Sequence, residues 1–237
     1  MLSSLNDWAE DNGNNVILVL DEAQELIKVK GYDVLPLIAY AFDNLRNLSF
    51  VVTGSEIRVK SKFLRVDNEN SPLYGRAYVE INVNPFDKDT SIKFVERGFE
   101  EYLKFSKAEE VYEELGGNPG WLTYYGYVYV KKGDIDVLEQ TKRYARKLLS
   151  IEFCNFLVEG NRLQSKERYL KVLETCKLGC SWKDVKNALE ALEGREINDD
   201  TLHTILRNLL EYSFLVKENR RYFLADPILK EIGNVKC

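Results

Sequence analysis

Apolar positions along the first eighty residues fall into blocks rather than helical stripes. Val16-Ile17-Leu18-Val19-Leu20 is unbroken, follows Gly13 and runs into Asp21-Glu22. Such a block predicts a strand buried on both faces, as in parallel sheets covered by helices. Leu48 to Ser55 predicts a second buried strand ending in Thr53-Gly54-Ser55, and Tyr78 to Val83 alternates as a third, stopping at Asn84-Pro85. Between the first two, Val34, Leu35, Leu37, Ile38, Tyr40, Ala41 and Leu45 recur at helical spacing, with Pro36 near the start where proline is tolerated. Residues 2–12 read as the end of a helix or a loop leading into the first strand. Strand, helix, strand, loop, strand is the order of an α/β core with parallel crossovers.

After Pro85 the period becomes helical throughout. Asp89 is placed to cap a helix carrying Ile92, Val95, Phe99 and Leu103. A helix over 107–115 ends at Gly116-Gly117, Asn118-Pro119-Gly120 turns the chain, and an aromatic helix with Trp121, Tyr124, Tyr125 and Tyr127 follows. A long helix runs from about Ile135 towards Val158, and Gly160 to Lys166 reads as a linker. Beyond it, Tyr169, Leu170, Val172, Leu173 and Cys176 stripe one helix. Ser181, with Asp184 in the first turn, caps a second, and Asp199-Asp200 begin a third. Phe214–Lys217 and Arg221–Leu224 predict a hairpin. Three helices and a wing make a winged helix-turn-helix.

Composition narrows the setting. The 237 residues are 45% hydrophobic and 30% charged with a formal charge of −5, enough for one large or two to three small domains. No apolar run approaches the eighteen or so residues that span a membrane, and the first residues lack the pattern of a signal peptide, so the expected location is cytoplasmic. Cys154, Cys176, Cys180 and Cys237 lack paired zinc spacing and His203 is the single histidine, so free, reduced thiols are expected. One Met and three Gln point to a thermophilic composition.

The chemistry concentrates at strand ends. Ligands bind outside the carboxyl ends of strands in open α/β sheets, where Asp21 and Glu22 stand side by side. Apolar block plus Asp-Glu is the form of a Walker B motif, the Asp holding the Mg²⁺ shell and the Glu acting on the attacking water. The ordinary alternative is a buried strand entering an acidic turn. Thr53 and Ser55 stand where a nucleotide-binding sheet carries a polar sensor of the γ-phosphate, although small polar residues end ordinary strands too. Arg76, in Ser71-Pro72-Leu73-Tyr74-Gly75-Arg76-Ala77, could reach a phosphate or form a structural ion pair.

Taken together, these residues resemble the archaeal ATPases of the AAA+/STAND branch of P-loop NTPases. The resemblance rests on Val16–Gln24 as Walker B, Val51–Ser55 as sensor, Leu73-Tyr74-Gly75-Arg76, Pro85-Phe86, Leu115 to Leu122, and Tyr222 to Ile228 after the wing. It implies a fold: the remnant of a parallel P-loop NTPase sheet (1–84), an all-α lid (85–160) and a winged helix-turn-helix (161–237). It also implies ATP and Mg²⁺ as cofactors. Asp21 would hold the metal, Glu22 would activate water, Ser55 or Thr53 would sense the γ-phosphate, Arg76 would be an arginine finger, and Pro119 would help the lid cover the base.

One departure bears on activity. No Gly-x-x-x-x-Gly-Lys-Ser/Thr occurs, so the expectation is a family member missing its N-terminal quarter and unable to hydrolyse ATP alone, completed by a protein partner or its own missing segment. The reading from another class is a non-enzymatic winged-helix module binding protein or DNA. From Lys166 onward there are 13 Lys and Arg against 12 Asp and Glu. That near-neutrality disfavours DNA, because phosphate neutralisation supplies most non-specific affinity. The outward positions of the third helix are expected to be Thr201, His203, Thr204, Arg207, Asn208 and Glu211, with Lys217, Arg220 and Arg221 on the wing.

Overall fold

The computed structural model describes residues 1–29, 31–54, 63–66, 68–99, 107–133, 135–233 and 235–237. It divides into two compact units, Met1–Asn82 and Val83–Cys237. In the first, α1 (Leu2–Asp11) leads into β1 (Val16–Leu20), a 3₁₀ turn (Ala23–Lys28), α2 (Leu35–Asn44) and β2 (Leu48–Val52). The strands pair in parallel, Val16 opposite Leu48 through to Leu20 opposite Val52.

This sheet is covered on one face. Leu20, Phe50 and Val52 pack with Leu35, Ile38 and Ala39 of α2, while Val16 and Phe50 meet Leu2, Leu5, Ala41 and Leu45. On the other face Ile17 and Val19 remain 62% and 61% exposed and Val51 45%. The expected burial on both faces is therefore corrected, because α1 and α2 lie on one side and no described element lies on the other. The third expected strand is corrected as well. Residues 78–83 join no ladder, and Val79, Ile81 and Val83 are more than four-fifths exposed. Alternation gives a strand only where a neighbour offers hydrogen-bonding partners.

The second unit is helical, then winged. It comprises α3 (Lys88–Phe99), α4 (Ala108–Leu115), α5 (Pro119–Lys132), α6 (Val137–Glu159), α7 (Lys166–Thr175), α8 (Trp182–Glu193), α9 (Asp199–Glu211), β3 (Leu215–Glu218) and β4 (Arg221–Leu224). One continuous core runs from Val95 and Phe99 through Phe153, Phe156 and Phe214 to Ile228 and Val235. The 160–166 connection is pinned to it: Arg162 donates to the Phe156 carbonyl at 2.9 Å and its guanidinium lies 4.6 Å from the centroid of that ring.

Local chemistry explains the ends. Asp87, two residues before the expected Asp89, caps α3 by accepting from Thr90 N–H at 2.7 Å. Ser181 and Asp184 form a reciprocal capping box on α8. The wing turns tightly through Asn219 and Arg220, both at positive φ (47° and 65°), as a two-residue hairpin turn requires. Asn208, expected to face outward on α9, is buried and donates to the Tyr169 hydroxyl at 2.9 Å.

The expectation of free thiols is overturned: Cys176 bonds Cys180, and Cys154 bonds Cys237 across 83 residues. A loop of that length removes unfolded-chain entropy worth about 4–5 kcal/mol. Among the described residues no helix is long and apolar enough to cross a membrane.

Glycine at 117 is demanded by close approach. A Cβ there would lie 1.8 Å from the Phe86 carbonyl oxygen, and Phe86 N–H donates to the Gly117 carbonyl at 2.8 Å. Gly117→Ala is therefore expected to cost about 2–4 kcal/mol. In Gly98→Ala, on α3 with nothing within 4 Å of the added carbon, helix propensity gains up to ~1 kcal/mol. Thermal melts of the two variants check this; equal falls would contradict it.

Candidate functional site

The site forms where β1 and β2 end together. Because Leu20 lies opposite Val52, Thr53 lies beside Asp21 and Glu22. Thr53 N–H donates to the Leu20 carbonyl at 3.0 Å, and its own carbonyl accepts from Ala23 N–H at 3.0 Å. Its hydroxyl donates to the Asp21 carboxylate and accepts from Glu22 N–H at 3.2 Å. Three groups of one residue thus hold the chain as it leaves β1.

Glu22 takes a left-handed conformation, φ 48° and ψ 45°, which a side-chain-bearing residue adopts at some cost. The turn lets Asp21 and Glu22 both stay exposed while Ala23 and Gln24 are buried. The Gln24 amide donates to the Glu22 carboxylate. A carboxylate is acceptor-only, so the NH₂ end must face it, and the other end of the amide, Oε1, is buried without a partner. Sequence reasoning assigned Gln24 no role. Its place two residues after Glu22 was the available signal.

The donor set suits Mg²⁺. It consists of oxygens, the Asp21 carboxylate and the Thr53 hydroxyl bonded to it, and Mg²⁺ is usually held by one or two carboxylates together with substrate phosphates. Among the described residues no cluster of three or more His, Cys, Asp or Glu offers a self-sufficient metal cage.

The remaining predicted residues are placed differently. Arg76 forms a two-point fork on Asp43 of α2, Nε to Oδ1 at 3.0 Å and an Nη to Oδ2 at 2.5 Å, and also donates to the Pro72 carbonyl. The hydrogen bond from Arg76 holds the Asp43 carboxyl below its ordinary 3.8 and in return raises the Arg76 value. Ser55 lies outside the described residues.

Pro119 belongs to the second unit, exposed at the first turn of α5, where the Asn118 side chain accepts from Gly120 N–H at 2.9 Å. That turn is fastened by Asp226, which lies in the Tyr222–Ile228 segment after the wing but had no role of its own assigned from the pattern. One Asp226 oxygen accepts from Trp121 Nε1 at 2.6 Å and from Asn118 Nδ2 at 3.3 Å, and the other from Ile228 N–H at 2.9 Å.

The profile of the ATPase domain found predominantly in Archaea matches residues 1–125, more than half of the chain. The chain belongs to this archaeal ATPase family. A second profile, that of the C-terminal winged helix-turn-helix domain of MCM proteins, matches residues 163–225. Among solved structures, a Walker-type ATPase of Pyrococcus abyssi is similar over 96% of this chain, at 36% identity and a TM-score of 0.82. This chain spans 65% of that protein's length. No curated protein matches it. The fold is accordingly part of a P-loop NTPase arrangement followed by helices and a winged helix, and nucleotide with Mg²⁺ is the ligand class of the family.

The Arg76–Asp43 fork makes a testable demand. Because the folded Asp43 value is depressed, the stabilisation from the pair is fully present above pH 3.8 and is lost as pH falls through the lowered value. An NMR titration should show Asp43 ionising below 3.8 in the native chain and returning to it in Arg76→Ala. An unchanged Asp43 titration would show that the fork does not hold in solution.

Proposed function

We propose that this archaeal ATPase-family chain carries the metal-holding and water-activating half of an ATP site, Walker B in kind, within a STAND-type switch. The observation that supports it most is the Thr53 hydroxyl set between the Asp21 carboxylate and the Glu22 amide at the carboxyl ends of two parallel strands. In this reading Asp21 offers a carboxylate oxygen to Mg²⁺. Bound there, the ion supplies charge neutralisation for phosphoryl transfer. Glu22 orients the attacking water and takes its proton, while the Gln24 amide occupies one carboxylate oxygen and leaves the other for the water.

Thr53 or Ser55 senses the γ-phosphate. Arg76 acts as an arginine finger after exchanging Asp43 for phosphate, and Pro119 brings the turn of the lid over the base. In this reading the protein works in the cytoplasm, where two disulfides fit a thermophilic chain.

Positioning and charge stabilisation carry most of phosphoryl transfer, and backbone N–H groups of a glycine-rich phosphate loop with its lysine provide them. The 237 residues contain no such loop. The phosphate grip then comes from a partner or from a segment outside these residues. The exposed face of Ile17, Val19 and Val51 beside the site favours that completion.

The winged helix serves in this reading as an interaction module for protein more than for DNA. On α9 His203, Thr204 and Arg207 are exposed, and the one firm cation among them, Arg207, lies 3.7 Å from Glu211.

Purified residues 1–237 should therefore release little Mg²⁺-dependent phosphate from ATP, and Glu22→Gln should match the native rate. Turnover well above background that disappears in Glu22→Gln would overturn the reading, because it would require a phosphate site within this chain.

A further inference from the structure

The inner face of α6 is consumed by the core, with Val137, Thr141, Ala145, Leu149, Phe153, Phe156 and Leu157 all buried. Its outer face is not the polar surface that such a helix ordinarily presents. Tyr144, Leu148, Ile151 and Val158 remain 39%, 38%, 48% and 57% exposed. With exposed Asn155 they form a single line whose steps alternate four, three, four, three.

That alternation is the 3.5-residue repeat of a two-helix seam. Tyr144, Ile151 and Val158 take one core position of the heptad, and Leu148 and Asn155 the other. Asparagine at the second position, facing its own copy, specifies two parallel strands in register. The flanking positions agree with that choice. Exposed Lys147 and Glu152 stand five residues apart on the two sides of the seam, the spacing at which each meets the opposite charge of a symmetry-related copy. In an antiparallel pair centred on Ile151, Asn155 would face Lys147 and Glu152 would face Ser150, so neither self-match would form.

We propose that the outer face of α6 is a homodimer interface, in which two copies of this chain pair their α6 helices in parallel and in register. The occupant is a second copy because the pattern is complementary to itself: apolar to apolar, Asn155 to Asn155, Lys147 to Glu152.

A seam of two heptads spans about 21 Å and would not hold two free peptides together. Here each helix is already folded on its own core and the Tyr144 ring is already stacked on Tyr124 at 4.2 Å, so association orders little. The small area places the dimer in the weak class, with a dissociation constant on the order of 10–100 μM.

Sedimentation equilibrium of the full chain from roughly 5 to 500 μM brackets that constant. The native chain should show a monomer–dimer equilibrium. Ile151→Glu should raise the dissociation constant at least tenfold with the circular dichroism spectrum unchanged. Lys147→Glu should weaken the dimer several-fold, and Lys147→Glu combined with Glu152→Lys should restore it. The charge variants lie at exposed positions, so they test the pairing even if Ile151→Glu fails to fold. A native chain that stays monomeric throughout overturns the proposal. So does a dimer that Ile151→Glu leaves unchanged, which would implicate another surface such as the open face of the β1–β2 sheet, or a double variant as weak as the single one.

Discussion

The candidate site depends on one register. Pairing Leu20 with Val52 in parallel brings the ends of β1 and β2 level, and the first residue past β2 then meets the first three past β1. Slipping the pair by one residue would reverse the faces of every side chain in one strand. It would take Leu20 and Val52 out of the α2 packing and Thr53 away from Asp21 together. Hydrophobic burial and the chemistry of the site are therefore set by the same constraint. The left-handed Glu22 is the local cost of this arrangement. The bonds from Thr53 to Glu22 and Ala23 help offset it.

The second unit is organised around a different constraint, the close approach of backbone to backbone at Gly117. Phe86 sits where a side chain on residue 117 would have to be, and Pro227 lies against Gly116, whose added Cβ would come 2.9 Å from the proline ring. Asp226 completes the junction by accepting from Trp121, Asn118 and Ile228. The turn bearing Pro119 and the end of the wing are thus one fastened piece, in a core that runs unbroken from α3 to the C-terminal tail.

What the sequence disclosed was what neighbours in sequence decide. The apolar block running into Asp21-Glu22, the Ser181–Asp184 capping box and the glycine end of α4 each lie within a few residues, and each is found where expected. The misreadings share the opposite property. Burial of β1 on both faces and a strand over 78–83 depend on a neighbour elsewhere in the chain, which the pattern of one segment cannot supply. Cys154 meets Cys237 only through folding over 83 residues; the ion pair that was one of the two readings of Arg76 is present, with its partner Asp43 lying 33 residues away. Gln24 stood beside the motif in plain view, but its role depends on a turn conformation that a periodicity does not encode.

The central claim is that the Thr53 hydroxyl, and not its backbone alone, organises the Asp21-Glu22 turn. Amide hydrogen exchange in Thr53→Val measures this directly, because valine keeps the shape and the backbone bonds while removing the hydroxyl. The Glu22 amide, bonded to that hydroxyl at 3.2 Å, should exchange roughly tenfold faster, the scale of one lost hydrogen bond. The Ala23 amide, bonded to the Thr53 carbonyl at 3.0 Å, should keep its protection. Unchanged exchange at Glu22, or equal loss at both amides, would contradict the account.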